Sequence, residues 1–251
     1  MEAAGLGLFM VSACGFGVLL FHSDSPIGSV IENPVFRRLL MGVVMGGTAI
    51  ALIYSPWGKQ SGAHLNPAVT LTFFRLGKIA APDALFYTLF QAAGGLAGVV
   101  VMAVILRNWI SDPAVNYVAT VPGALGVTVA WITEFVISSI LMAAVLSVSN
   151  WPRFARWTGV VAGILVATNI ALAAPLSGMS MNPARTLASA IPSGVWTAIW
   201  VYFTAPPLAM LVAAQIYLWV KGHRAVFCAK FHHQNNKRCI FCQTRGQFPG
   251  G

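Results

Sequence analysis

The chain has 251 residues, of which 57% are hydrophobic and only 8% are charged. Soluble domains draw about 25% of their residues from the charged types, so this composition excludes a soluble globular protein and indicates an integral membrane protein. The formal net charge is +9, but the basic residues lie at the ends of apolar runs and in a C-terminal tail, as membrane topology requires. We therefore expect a chain surrounded by lipid and no nucleic-acid partner.

Six apolar runs have the character of spanning helices, which need about 20 mostly apolar residues. They are predicted at 3–21, 39–54, 84–106, 127–148, 158–174 and 196–220. Segment 22–38, which contains Asn33-Pro34, is predicted to be a loop, and Pro175 is predicted to end the fifth run. The second run is rich in glycine, which favours either close helix approach or space for a pore. The first run follows Glu2 and no basic segment, which favours a spanning helix over a cleaved signal peptide.

A ten-residue motif occurs twice. Residues 61–70 are SGAHLNPAVT and residues 177–186 are SGMSMNPART, with six of ten positions identical. Each copy lies between apolar runs, and an ungapped match of this length indicates a duplicated chain. Each half has three predicted spans, an odd number, so the second copy must enter the membrane upside down relative to the first.

Each motif is predicted to begin a short helix. Asn66 and Asn182 are of the type preferred as helix N-caps, and the proline that follows each suits the first helical position. The apolar stretches that follow, 68–76 and 184–191, extend about 12 to 14 Å at helical rise, against a hydrocarbon core of about 30 Å. They can cross half of a membrane.

These patterns predict an all-α membrane protein with six transmembrane helices and two half-helices in two inverted repeats. The first repeat is assigned to residues 1–115, the second to 127–220, and a cytoplasmic basic tail to 221–251. The positive-inside rule places both termini in the cytoplasm. The inner side would then hold Lys59, Arg75, Lys78, Arg153, Arg156, Lys221, Arg224, Lys230, Lys237, Arg238 and Arg245, and the outer side Arg37, Arg38, Arg107 and Arg185.

Half-helices that enter from opposite faces would bring their N-terminal ends together near the middle of the membrane. Each end is equivalent to about +0.5 of an elementary charge and repels cations and hydronium. The side-chain amides of Asn66 and Asn182 would orient a passing water molecule and interrupt proton hopping along a file of waters. Arg185 is an ionisable residue at membrane depth, where a charge is costly and therefore indicates function.

The sequence resembles the major intrinsic protein family, the aquaporins and aquaglyceroporins, over nearly its whole length. The resemblance rests on Arg185, on a glutamate in the first span of each half, and on both motifs. The motif residues are Asn66, Pro67, Ala68, Asn182, Pro183 and Ala184. The resemblance implies a passive channel for water and small uncharged solutes that excludes ions and protons. It also implies a homotetramer in the cell (inner) membrane that needs no cofactor for transport and is not an enzyme.

By the same resemblance, Glu2, Glu134 and His64 would support the pore loops, whose free amide and carbonyl groups need partners at membrane depth. Glu2 is nearly the first residue here, whereas family members usually carry helix or tail before it.

Counting without gaps from the motifs, the family's selectivity constriction falls on Gly46, Ile170, Met179 and Arg185. Strict water channels usually place Phe and His at the first two positions. Glycerol facilitators usually have Trp, Gly and Phe, with Asp after the arginine, where this chain has Thr186. We expect Gly46 and Ile170 to widen the constriction more than the flexible Met179 narrows it, so that water passes together with glycerol, urea or ammonia.

Two other transport functions share these features. A facilitator mainly for glycerol or another neutral solute would have the same motifs. An ion-coupled secondary transporter would also have inverted repeats with broken helices, but it needs titratable groups in its pathway. The carboxylates near the spans, Glu2 and Glu134, are assigned to the loops. A membrane hydrolase would need a nucleophile beside a base, a pair that the sequence does not offer.

The tail contains a separate candidate site. Cys228 and His232 are four residues apart, as on one face of a helix, and Cys239 and Cys242 have the C-x2-C spacing of a zinc knuckle. His233 could replace His232. The sequence therefore predicts a structural zinc site, with a reduced solvated tail and S-acylated cysteines as the alternatives.

Overall fold

The computed structural model describes residues 1–222 and 224–243, so Arg245 of the charge count lies outside the described residues. The described chain forms ten α-helices and short 3-10 turns. The α-helices are α1 (Glu2–Phe21), α2 (Pro26–Val30), α3 (Pro34–Tyr54), α4 (Pro56–Ser61), α5 (Pro67–Arg75), α6 (Ala81–Leu106), α7 (Gly126–Ser149), α8 (Thr158–Ser177), α9 (Pro183–Ser193) and α10 (Ile199–Lys221). Helices α1, α3, α6, α7, α8 and α10 are long and apolar enough to cross a membrane. The predicted fold class is confirmed.

The second span begins earlier than predicted. Asn33 caps α3, because its Oδ1 accepts the backbone N–H of Val35 at 2.9 Å, and Pro34 is the first helical residue. A proline at that position removes no helical hydrogen bond. The prediction of a loop over all of 22–38 is therefore wrong, since this Asn-Pro pair carries the same signal that begins both half-helices.

Two other prolines also belong to helices. Pro175 does not end the fifth span, because α8 continues to Ser177 and stops at Gly178, whose φ of 73° suits a glycine. Pro56 follows the end of α3 as predicted, but it also begins α4. The Ser55 hydroxyl caps α4 by accepting the Gly58 N–H at 3.0 Å.

The two halves of the chain pack in corresponding ways. α1 lies against α6 in the first half, and α7 lies against α10 in the second. The short helices α5 and α9 each contact both α6 and α10, so each half-helix packs on a long helix of the other half. Their capping residues, Asn66 and Asn182, consequently meet inside the bundle.

A close contact of α3 with α8 joins the halves. A β-carbon built on Gly46 would lie 2.5 Å from the carbonyl oxygen of Gly163 and 2.9 Å from Cβ of Ala167. These distances leave no space for a side chain, so Gly46 allows the two helices to approach closely.

Candidate functional site

The two motif loops have the same unusual backbone. Ala63 and Leu65 have φ values of 56° and 49°, and the equivalent residues Met179 and Met181 have values of 46° and 53°. For residues with a side chain this conformation costs on the order of 1–3 kcal/mol each, and it persists where neighbouring groups hold it. The loops therefore need firm support.

Glu134 provides that support for the second loop. Its Oε1 accepts the Ser177 hydroxyl at 2.7 Å and the Ser180 N–H at 2.8 Å. Its Oε2 accepts the Met181 N–H at 2.7 Å. Glu134 is fully buried. Its carboxylate therefore provides hydrogen-bond acceptors for loop donors that would otherwise be buried without a partner.

Glu2 makes the corresponding bonds to the first loop. Its Oε1 accepts the Ser61 hydroxyl at 2.6 Å, and its Oε2 accepts the Leu65 N–H at 2.7 Å. Gln91 adds a third donor, its Nε2, at 2.7 Å from Oε2 of Glu2. Gln91 lies on a span without a motif, so no sequence pattern indicates its role at the loop.

His64 connects the first loop to the tail. Its Nε2 lies 2.7 Å from the carbonyl oxygen of Ala229, so Nε2 carries the hydrogen and donates, because a carbonyl can only accept. Its Nδ1 lies 3.1 Å from the hydroxyl of Thr70. His64 is buried.

Asn66 and Asn182 cap the half-helices and also bond across to the opposite loop. Asn66 Oδ1 accepts the Ala68 N–H at 2.9 Å, and Asn182 Oδ1 accepts the Ala184 N–H at 3.0 Å. Their Nδ2 atoms donate to the carbonyl oxygens of residues 181 and 65 respectively, both at 2.7 Å. Each amide has two hydrogens, so one remains available to a permeating molecule.

A cavity of about 430 Å³ extends along the bundle, with both asparagines in its wall. Phe21 and Val118 lie at one end, and Phe231 lies at the other. We call the second end the tail-side mouth, which is formed by Ile53, Ala63, His64 and Phe231. One long wall is a stripe on α3 at helical spacing, about 22 Å in length. The stripe consists of Arg38, Met41, Met45, Ala49 and Ile53.

The structure places three of the four predicted constriction residues, Ile170, Met179 and Arg185, on the cavity wall. Gly46 is different, because its β-carbon position points into α8 and not into the cavity. The neighbouring Met45, which the ungapped count passed over, lies on the wall instead. The i, i+4 spacing of the α3 stripe is the sequence signal that could have identified it.

Arg185 directs part of its guanidinium into this buried space. Its Nη1 is buried and has no hydrogen-bond partner within residues 1–222 and 224–243. A buried donor of this kind gains from any acceptor that enters the cavity, whether a water or a hydroxyl or carbonyl oxygen of a solute.

Known proteins are similar to this chain in sequence and in fold. The family model of the major intrinsic proteins matches residues 2–217. The chain belongs to the major intrinsic protein family. It is 35% identical to Aquaporin NIP6-1 of Arabidopsis thaliana over 81% of this chain and 66% of that protein. It is 33% identical to Aquaporin A of Dictyostelium discoideum over 84% of this chain and 74% of that protein.

The X-ray structure of the aquaglyceroporin from Plasmodium falciparum has the same fold, with a TM-score of 0.69 over 86% of this chain and 92% of that chain. At 20% identity, the likeness concerns the fold alone. The chain spans 57% of the length of Aquaporin NIP3-1 of Zea mays and 64% of Aquaporin NIP1-4 of Oryza sativa subsp. japonica. Major intrinsic proteins are membrane channels, so the predictions of an integral membrane protein and of a non-enzyme are confirmed.

The tail of this family member packs over the tail-side mouth. The Phe231 N–H donates to the carbonyl oxygen of Gly62 at 3.2 Å. The Lys230 ammonium donates to the carbonyl oxygen of Lys59 at 2.7 Å. Phe241 stacks on the His64 ring at a centroid distance of 5.8 Å. Segment 226–231 is mostly buried in the same core as the half-helices, so the alternative of a solvated tail is wrong for this segment.

A cluster of Cys228, His233, Cys239 and Cys242 lies in this tail, and it could hold a metal ion. His233 takes the place predicted for His232, whose ring instead packs edge-on against Tyr54 at 4.9 Å. The prediction assumed a helix, in which residues four apart share a face, but the tail is not helical here. The hydrogen bond from the Cys228 thiol lowers the pKa of Cys239, and the same bond raises the pKa of Cys228.

Proposed function

We propose that the protein is a passive pore for water and at least one small uncharged solute, such as glycerol, urea or ammonia, and that it excludes ions and protons. The observation that carries this proposal is the elongated cavity, whose wall combines Asn66, Asn182 and Arg185 with mostly apolar side chains. A few donors on an apolar wall replace the hydrogen bonds of a neutral permeant at little cost.

Exclusion of charge follows from the same groups. The N-terminal ends of α5 and α9 each contribute about half of a positive elementary charge where Asn66 and Asn182 meet. Arg185 adds a fixed positive charge on the cavity wall. Cations are therefore repelled, and an anion would lose its hydration in a mostly apolar channel.

The width of the pore depends on flexible and branched apolar residues. Gly46 does not widen it, because α8 occupies the space beside that residue. Ile170 leaves the wall apolar, while Met45 and Met179 can change rotamer to admit a larger solute. These properties favour passage of a neutral solute larger than water, with a mainly glycerol-conducting pore as the alternative.

Vesicle swelling with matched variants tests this selectivity. Ile170→Phe, on the cavity wall, should reduce glycerol, urea or ammonia flux by a larger factor than water flux. Leu172→Phe is the control, since Leu172 lies on the same helix and is 70% exposed on the outer surface. Met179→Ala should raise the flux of the larger solutes. Equal effects of Ile170→Phe and Leu172→Phe on every solute would contradict the assignment of Ile170 to the wall of the pore.

Removing the ion gradients tests whether solute transport is coupled to ions. The carboxylates of Glu2 and Glu134 accept loop hydrogen bonds, and this use supports a structural role for them. Solute flux should therefore persist without any ion gradient. Flux that stops when the gradients collapse would support a coupled transporter.

We also propose a homotetramer with one pore in each subunit, placed in the cell (inner) membrane with both termini in the cytoplasm. The excess of basic residues on the side of the tail supports this orientation. Mass measurement of the protein in lipid nanodiscs tests the tetramer. We further propose that a metal ion in the tail cluster is structural and that permeation itself does not require it.

A further inference from the structure

The ligand atoms of the tail cluster lie close enough together to hold one metal ion. The four ligand atoms of Cys228, His233, Cys239 and Cys242 lie within 4.8 Å of one another. The sulfurs of Cys228 and Cys239 are 3.3 Å apart, and His233 Nε2 is 3.1 Å from the sulfur of Cys242. Around zinc, with bonds of about 2.0–2.3 Å to nitrogen and sulfur, tetrahedral ligands are about 3.3–3.8 Å apart.

Backbone amides favour the thiolate form of two cysteines in this cluster. The amide of Lys230 acts on Cys228, and the amides of Phe241 and Cys242 act on Cys239. Such interactions stabilise thiolates that coordinate a metal. A disulfide would need sulfurs at about 2.05 Å, whereas the sulfurs of Cys228 and Cys239 are 3.3 Å apart.

The charge around the cluster also suits zinc. Zinc with three thiolates and a neutral imidazole carries a net charge of −1. The Lys230 side chain is only 2% exposed and interacts electrostatically with all three cysteines. Its positive charge would balance the site, which explains why a lysine is buried beside cysteines.

The cluster and the pore are joined by a short segment. Two of the ligands, Cys228 and His233, enclose residues 229–232. Within that segment, the carbonyl of Ala229 accepts from His64, and the Phe231 N–H donates to Gly62. The Phe231 side chain lies in the wall of the cavity at the tail-side mouth and is 5% exposed.

We infer that Cys228, His233, Cys239 and Cys242 bind one zinc ion and that this site fixes Phe231 in the tail-side mouth, where it restricts permeation. The part concerning permeation rests on the proposed channel function. Metal binding supplies the folding energy of small segments that lack a core of their own. Loss of zinc would release segment 227–243, and the mouth would open as Phe231 leaves it.

Metal analysis tests the site itself. Protein purified without added metal should contain about one zinc per chain by mass spectrometry. The double variant Cys239→Ser, Cys242→Ser should lose the zinc, whereas Cys14→Ser, outside the cluster, should keep it. Zinc at background level in the wild-type protein, or another metal in its place, would overturn the zinc site.

Vesicle swelling tests the restriction at the mouth. Phe231→Ala should keep the zinc and raise water flux several-fold over wild type. Ile240→Ala, an exposed tail residue, should keep both the zinc and the wild-type flux. Removal of zinc with a membrane-permeant chelator should raise the wild-type flux toward that of Phe231→Ala. Zinc-loaded Phe231→Ala with unchanged flux would overturn the restriction while leaving the zinc site intact.

Hydrogen exchange distinguishes failure of the zinc-held tail from failure of the channel. The Phe231 amide is bonded to Gly62, so its exchange should accelerate at least tenfold when zinc is removed. The Ile137 amide in the middle of α7 serves as the control and should not change. Unchanged exchange at Phe231 would overturn the zinc-held tail. Accelerated exchange without water flux in any variant would instead overturn the proposed channel function, and with it the restriction of permeation.

Discussion

Asn66 and Asn182 each donate a hydrogen bond to the loop of the other motif. The Nδ2 of Asn66 lies 2.7 Å from the Met181 carbonyl oxygen, and the Nδ2 of Asn182 lies 2.7 Å from the Leu65 carbonyl oxygen. Each acceptor residue directly precedes the other asparagine, since Met181 precedes Asn182 and Leu65 precedes Asn66. The two half-helices are thus fixed to each other beside the cavity, whose wall contains both asparagines.

Replacing either asparagine with aspartate should destabilise the protein. The carboxylate has no hydrogen to donate, so its oxygen would face the carbonyl oxygen that the amide now bonds. A buried group without its partner costs about 1–3 kcal/mol, and the added charge favours cation entry or misfolding. Thermal unfolding in detergent and ion flux in vesicles measure these effects. The exposed Asn108→Asp is the control, and wild-type behaviour of both buried variants would contradict the account.

The carboxylate of Glu134 should be irreplaceable by an amide of the same size. In Glu134→Gln, an NH2 group would face either the Ser180 and Ser177 donors or the Met181 N–H, and donors cannot satisfy one another. We expect a loss of about 1–3 kcal/mol in the free energy of unfolding together with loss of flux. Glu2→Gln should behave similarly. The exposed Glu32→Gln is the control, and a Glu134→Gln protein as stable as that control would refute the support role.

Two adjacent glycines should respond oppositely to alanine. A β-carbon on Gly46 would meet the Gly163 carbonyl oxygen at 2.5 Å, whereas one on Gly47 has no atom within 4 Å. Gly47→Ala should be neutral or stabilising by about 0.5–1 kcal/mol, because alanine favours the helix. Gly46→Ala should lower the unfolding temperature by separating α3 from α8. Equal unfolding temperatures of the two variants would show that this contact is looser than the structure indicates.

Arg185→Val should weaken the barrier to protons. The substitution removes a fixed positive charge from the cavity wall and the donor Nη1, while leaving the loop bonds of Asn182 in place. A pH-sensitive dye inside vesicles should report a proton leak several-fold above wild type. Arg107→Val, at an exposed position after α6, is the control. A leak that matches this control would exclude Arg185 as a major part of the barrier.

The sequence predicts most of the fold because apolar length and a duplicated motif are strong signals. The family resemblance is what predicts the roles of Glu2 and Glu134, since a lone glutamate in an apolar run does not reveal its partners. An ungapped count predicts Gly46 on the pore wall, yet α4 lies between α3 and the first motif, and the structure places Met45 on the wall instead.

The tail shows where sequence reasoning stops. The spacing of the cysteines predicts a metal site, but the choice between His232 and His233 depends on a non-helical backbone that no local pattern encodes. The position of Phe231 in the tail-side mouth depends on contacts with residues about 170 positions earlier, such as Gly62 and His64. Such contacts follow from tertiary packing alone.

The central claim is that neutral molecules cross the protein through the cavity between the two asparagines while protons and ions do not. The most direct test is stopped-flow swelling of vesicles that contain either wild-type or Phe231→Ala protein, with proton and potassium flux recorded in the same preparations. We predict that water and at least one of glycerol, urea and ammonia cross several-fold faster than in empty vesicles, without ion flux. Water flux equal to that of empty vesicles in both proteins would contradict the account. Potassium flux above that of empty vesicles, in either protein, would also contradict it.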